Sequence, residues 1–101
     1  MLIEFDGFEW DRGNWDKNLR KHEVTREESE EAFFGNSFIY SDERHSTDTE
    51  KRYVLFGETA KGRPLFIAFT TRQEKIRIVS ARSMSQKERS WYDEEKKKNR
   101  F

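Results

Sequence analysis

The hydrophobic pattern changes its period twice along the chain. Over Leu2-Ile3-Glu4-Phe5 apolar and polar positions alternate loosely and stop at Asp6-Gly7, which predicts a short opening strand at a sheet edge. A helical period follows. Trp15 and Leu19 lie four apart, and His22 continues their stripe, so Asp11 is expected to cap a helix ending at about His22. The opposite face of that helix is Arg, Lys and Asp. Val24 closes the joint with a second helix, which Thr25 and Glu28 open with capping-box spacing and Gly35-Asn36 ends. Its buried stripe should include Ser29, Ala32 and Phe33. The acidic run Glu27-Glu28 and Glu30-Glu31 would form its solvated face, or a landing place for a partner carrying basic segments.

From Ser37 the period shifts to alternation, starting with Phe38-Ile39-Tyr40 and interrupted by an acidic, mobile loop from Ser41 to Thr49. Tyr53-Val54-Leu55-Phe56 and Leu65-Phe66-Ile67-Ala68-Phe69 read as strands, and the Lys61-Gly62 turn between them predicts an antiparallel hairpin. A second turn, Thr71 to Glu74, leads into a strand from Ile76 to Arg82. Ser85 and Glu88 repeat the capping-box spacing and start a last helix, whose large apolar residues are Trp91 and Tyr92. Beyond Asp93 nearly every residue is charged, so fraying is expected there. A short N-terminal strand, two helices, an antiparallel β-sheet meander and a C-terminal helix make an α+β fold. With 101 residues and no repeat or linker, residues 1–101 are expected to form a single domain.

Composition adjusts this picture in three ways. Hydrophobic residues at 33% and charged residues at 40% lean toward disorder, but aromatic residues at 15% supply enough burial for a small core. In so small a core Phe8, Trp10 and Trp15 are expected to be packed rather than to stack on unpaired bases. The chain has no cysteine, which removes disulfides, zinc thiolates and thiol nucleophiles and suits a reducing compartment. The two histidines have no metal-ligand spacing, so no metal or other cofactor is expected. No apolar run nears the roughly 20 residues of a membrane span, and the first residues lack a signal peptide's basic start. A cytoplasmic protein without a membrane partner is therefore expected. The formal net charge of zero hides an asymmetry: residues 51–101 hold 14 Lys and Arg against 6 Asp and Glu, whereas residues 23–50 hold 2 against 9.

The basic half contains Ile76-Arg77-Ile78-Val79-Ser80-Ala81-Arg82, where two arginines break an apolar strand that does not need them. Guanidinium forks suit phosphate oxygens, so a polyanion is the expected ligand. Cleaving RNA through its own 2'-hydroxyl needs a base, an acid, and cations around the phosphorane. Arg52, Arg77 and Arg82 are the candidate cations, although strand parity sets Arg77 opposite Arg82 unless a twist or bulge re-aims one. His22 is the candidate acid or base, with a packed helix-end residue as its plain reading. Lys21, Arg72, His45 and Tyr92 are candidate RNA contacts. Their structural alternatives are a surface lysine, a solvated turn arginine, a solvated loop histidine and a core ring. Arg52 could instead pair with Glu50 or Glu58, and Glu88 reads as a cap before a base. A module that only binds nucleic acid or protein and acts by occupancy remains the rival to an enzyme.

Phe8-Glu9-Trp10-Asp11, Asn18, Lys21-His22 with Val24, Arg52 and Gly57, and the Ile76 to Arg82 block with Glu88 and Tyr92 together resemble the BrnT toxins of bacterial type II toxin-antitoxin modules. The chain departs from that pattern at Asn14, where a lysine is frequent, and at Arg26, where a hydrophobic residue is usual. The resemblance implies a RelE-like ribonuclease fold and metal-independent RNA cleavage that arrests growth. It also implies neutralisation by a cognate antitoxin similar to ribbon-helix-helix proteins, the complex binding operator DNA.

Overall fold

The computed structural model describes residues 7–99, apart from the side chains of residues 12–15 and 18. Its order is α1 (Arg12–His22), α2 (Arg26–Phe34), β1 (Phe38–Ser41), β2 (Arg52–Glu58), β3 (Pro64–Arg72), β4 (Lys75–Ser83) and α3 (Gln86–Asn99). The expected strand over Leu2 to Phe5 and the Trp15 side chain lie outside the described residues. The fold is α+β: four antiparallel strands in the order β1-β2-β3-β4, with helices before and after the meander.

Local sequence accounts for the helix boundaries. The backbone turns left-handed at Glu23 (φ 55°), where the Glu23 N–H still reaches the Leu19 carbonyl, and α1 ends. Thr25 opens α2 with both arms of a capping box: its hydroxyl accepts from Glu28 N–H at 3.0 Å and Glu28 accepts from Thr25 N–H at 3.0 Å. Ser85 and Glu88 repeat the device ahead of α3 at 3.2 and 2.8 Å. Fraying was expected beyond Asp93, whereas among the described residues α3 continues to Asn99. Glu94 with Lys97 and Glu95 with Lys98 pair one turn apart, Lys96 reaches Glu58, and the three lysines complement the helix dipole.

The β2–β3 connection turns at Gly62 (φ 87°), as Lys61-Gly62 indicated. The next turn is tighter than expected. Only Gln73 and Glu74 form it, both at positive φ (51° and 65°), the two-residue geometry that matches strand twist. Arg72 therefore ends β3, paired with Lys75, instead of sitting in the turn. The segment from Ser41 to Thr49 is also more structured than a mobile loop suggests. The Ser46 hydroxyl donates to the Asp42 carbonyl and accepts from Arg52 N–H, both at 2.8 Å.

The core fills one face of the sheet. Leu55, Leu65, Ile67, Phe69, Ile76, Ile78 and Ala81 are buried there under Val24 and the Ala32 and Phe33 stripe of α2, with Phe8 and Trp10 packed alongside. Phe33 meets Phe69 edge-on at 5.0 Å. Leu19 was expected in this core and is instead 42% exposed, while α1 packs chiefly along β4. The acidic face of α2 is not simply solvated either. Trp10 donates to Glu30 at 2.7 Å, Ala60 N–H to Glu31 at 3.0 Å, and Glu28 serves the cap, leaving Glu27 as the exposed member without such a role in the packing.

Candidate active site

The pairing of β3 with β4 decides which arginines share a surface. Phe66 faces Arg82 and Ala68 faces Ser80, but Phe69 faces Ile78 and Thr70 faces Arg77. Val79 is the extra residue of a β-bulge. One added residue reverses side-chain parity, so Ile76, Ile78 and Ala81 all point into the core while Arg77, Ser80 and Arg82 share the outer face. The parity conflict between Arg77 and Arg82 is thereby resolved in mid-strand rather than at its end.

The registers lay this outer face out in three rows: Arg52-Thr70-Arg77, then Tyr40-Val54-Ala68-Ser80, then Phe38-Phe56-Phe66-Arg82. Around the first row opens a cleft of about 270 Å³, lined by Lys17, Glu50, Arg52, Thr70, Arg72 and Arg77. Thr70 is buried and its hydroxyl donates to the Lys51 carbonyl at 2.6 Å, which pins the floor. Three of the four cations hold carboxylates. Arg52 donates to Glu50 at 2.7 Å, Arg77 to Asp11 at 2.7 Å and Glu9 at 3.0 Å, and Arg72 to Glu9 at 3.4 Å. Hydrogen bonding to Asp11 raises the Arg77 pKa further above its already high ordinary value, so it stays charged. Glu9 and Asp11 arrive because residues 7–9 bridge the free edge of β4 in parallel, with Ile76 N–H on the Gly7 carbonyl and Glu9 N–H on the Ile76 carbonyl, both at 2.8 Å.

Arg82 lies at the other end of the same face, four strand positions or roughly 13 Å along β3 from the Thr70 row. It is bidentate to Glu88 at 2.8 and 3.0 Å and sits 4.3 Å over the Phe66 ring. The arginine hydrogen bond, reinforced by Ser85 N–H, holds the Glu88 carboxyl below its ordinary value. Glu88 is thus both cap and ion-pair partner. Tyr92 is 1% exposed with its hydroxyl on the Asn36 carbonyl, and burial pushes its pKa up, so its ring offers no face to a base. The outward ring on α3 is its neighbour Trp91.

The histidines and Lys21 are not gathered into the cleft. The His22 carbonyl accepts from Arg63, which also binds Ser83 opposite Leu65, five strand positions from Thr70. His22 therefore stands at the far end of α1, half-buried, with Lys21 exposed beside it. His45 is exposed and its Nδ1 lies 2.8 Å from Asp42, in the loop that Ser46 ties to the Arg52 backbone. Sequence reasoning passed over Lys17, although it precedes Lys21 by one helical turn on the same stripe. It also missed Arg63, whose guanidinium joins the carbonyls of His22 and Glu23, the Glu28 carboxylate and the Ser83 hydroxyl. Nothing local marks that residue, because its partners come from three distant segments.

The sequence that builds this cationic cleft matches a known family. The family model for the ribonuclease toxin BrnT of type II toxin-antitoxin systems matches residues 10–88. The chain belongs to the BrnT family. No curated protein matches the chain significantly. The BrnT match contains Arg52, Arg72, Arg77 and Arg82 and reaches Glu88, so the cleft and the Arg82 pair fall inside it while most of α3 lies beyond. BrnT membership makes this chain a ribonuclease toxin of a type II module, with RNA as substrate and an antitoxin as partner. Among the described residues no helix is long and apolar enough to cross a membrane.

Proposed function

We propose that this BrnT-family chain is a single-domain, metal-independent endoribonuclease whose scissile phosphate sits in the cleft between Arg52 and Arg77. The observation that carries this reading is the bulge at Val79, which puts Arg77 in one row with Arg52 around an open cleft. The 2'-hydroxyl attacks the adjacent phosphorus, the P–O5' bond breaks, and the products are a 2',3'-cyclic phosphate and a 5'-hydroxyl. Arg52, Arg77 and Lys17 stabilise the charge gathered on the non-bridging oxygens. Arg72 steers the strand, and Arg82 holds a second phosphate further along the face. His45, in the loop that Ser46 ties to Arg52, swings over the cleft to serve as the acid or base, and His22 and Lys21 meet RNA outside the cleft, at the end of α1.

The carboxylates now on these arginines are the ligands that RNA phosphates replace. These pairs are partly solvated, and solvent-screened pairs contribute only about 0 to 1 kcal/mol, so phosphate can displace the carboxylates. In a cell the activity arrests growth in the cytoplasm until a ribbon-helix-helix-like antitoxin covers the toxin, and the complex binds operator DNA. Incubating purified protein with RNA in EDTA, with and without ribosomes, tests the catalytic part. Cyclic-phosphate termini are expected, and they should accumulate far more slowly with Arg77→Ala; intact RNA at high concentration of the parent protein in both settings would overturn the reading.

A further inference from the structure

Two large rings stand open on the arginine-bearing face. Tyr40 is 42% exposed and Trp91 37%, with centroids 5.9 Å apart. Trp91 is fixed from beneath, its ring 4.9 Å from Phe56 and 6.0 Å from Phe38. Tyr40 pairs with Val54 across β1 and β2, which makes Arg52 its diagonal neighbour at about 7 to 8 Å. Burial and the nearby Glu95 carboxylate raise the Tyr40 pKa, so the phenol is a neutral hydrogen-bond donor at any working pH. The middle row continues from Tyr40 through Val54, Ala68 and Ser80, whose side chains are short. The face is therefore low at its centre and bordered by Arg52 and Arg77 on one side and by Trp91, Phe66 and Arg82 on the other. A second cleft of about 310 Å³ follows Ser37 to Tyr40 along the sheet edge, leaving space beside the Tyr40 ring.

Cations tracking a backbone beside fixed aromatic rings are what single-stranded nucleic acid requires, since every base has a face that can stack. We propose that Tyr40 and Trp91 form the stacking platform for an unpaired RNA base next to the phosphate held between Arg52 and Arg77. The platform rests on the reading of that cleft as the RNA site. It also reassigns the aromatic contact from the buried Tyr92 to the ring preceding it.

The test is equilibrium binding of a short, fully 2'-O-methylated RNA, which cannot be cleaved by its own hydroxyl, followed by fluorescence anisotropy at several salt concentrations. Tyr40→Ala and Trp91→Ala should each weaken binding roughly 5- to 150-fold, the range of one lost base stack. The slope of log affinity against log salt should stay unchanged, because no phosphate contact is removed. Tyr40→Phe and Trp91→Phe keep a ring and should bind nearly as the parent does. Arg52→Ala should lower the slope by about one. If folded Tyr40→Ala and Trp91→Ala proteins bind like the parent while Arg52→Ala weakens, the platform is refuted and the cleft stands. If Arg52→Ala and Arg77→Ala also leave binding unchanged, the cleft reading falls, and the platform with it. Unchanged RNA affinity with weakened antitoxin binding in Tyr40→Ala would likewise overturn the platform, giving the patch to protein docking.

Discussion

Arg52 and Arg77 stand on either side of Thr70 in one row of the outer sheet face, although they are 25 positions apart in the chain. Two independent registers must both hold for that. The β2–β3 hairpin sets Arg52 opposite Thr70, and the extra residue at Val79 turns Arg77 outward opposite the same threonine. Without the bulge, a strand that buries Ala81 would turn Ile76 and Ile78 outward and Arg77 into the core.

Arg52→Ala and Arg77→Ala are each expected to slow single-turnover RNA cleavage by about 10²- to 10³-fold, the loss typical of one transition-state donor. Their unfolding free energies should stay within about 1 kcal/mol of the parent, because the ion pairs removed are partly solvated. Arg77→Lys restores the charge but not the planar fork, so it should recover part of the rate only. Parent-like cleavage by Arg77→Ala would show that the row is not the reacting centre.

Glu9 and Asp11 occupy Arg77 from a segment that bridges β4 from outside the sheet. Their combined neutralisation, Glu9→Gln with Asp11→Asn, should tighten RNA binding several-fold and steepen its salt dependence, since phosphate then meets no competing carboxylate at Arg77. Weaker binding would mean instead that the two carboxylates aim Arg77 at the phosphate.

Gly57 has a different task. A Cβ there would lie 2.8 Å from the Ala32 carbonyl, 2.9 Å from Leu55 Cδ2 and 3.1 Å from Ser37 Cβ, so α2 can approach β2 only over a glycine. Gly57→Ala should cost about 1 to 3 kcal/mol of stability, read as a shifted urea midpoint with an unaltered slope. An unshifted midpoint would show that the helix can back away freely.

What was legible in the sequence follows the range of the interactions. Both capping boxes join residues three apart, and the Gly62 hairpin is local, so motifs named them directly. The Gln73-Glu74 turn was read as longer because neither residue is one that favours positive φ. The bulge could be admitted as a possibility but not located, since its position depends on which β3 residue each β4 residue faces. The carboxylates on Arg77, the joining role of Arg63 and the outward turn of Trp91 beside an inward Tyr92 all depend on contacts between distant segments. Charge counts, which place the basic excess after residue 50, gave no sign that Glu9 and Asp11 would sit against it.

Arg63 ties the end of α1 to the start of α2 and the end of β4 through its Nε, Nη1 and Nη2 atoms. Arg63→Lys cannot reproduce that fork, so it should destabilise nearly as much as Arg63→Ala, about 1 to 3 kcal/mol. Cleavage per folded molecule should be preserved in both, which separates this arginine from those of the cleft. Full stability in Arg63→Lys would reduce the network to a point charge.

Acid should loosen the fold through Glu28 and Glu88. Burial pushes the Glu28 carboxyl up, but Thr25 N–H and the Arg63 guanidinium more than offset it, and Glu88 is lowered by Arg82 and then Ser85 N–H; both end below the ordinary 4.5. A carboxyl whose folded pKa is depressed stabilises the fold at pH values above its unfolded pKa, and that contribution disappears as pH falls through the folded pKa. Stability should thus be level from pH 7 to about 5 and decline from near pH 4.5 downward. Glu88→Gln should be less stable than the parent at pH 7, where it lacks the charged partner for Arg82, and should show a shallower decline in acid. Glu28→Gln should behave alike, and the double variant should flatten the profile further because the two pairs share no partner. Urea midpoints at pH 7, 5 and 3.5 decide it: a parent-like acid slope in the double variant would place the acid sensitivity in other carboxylates.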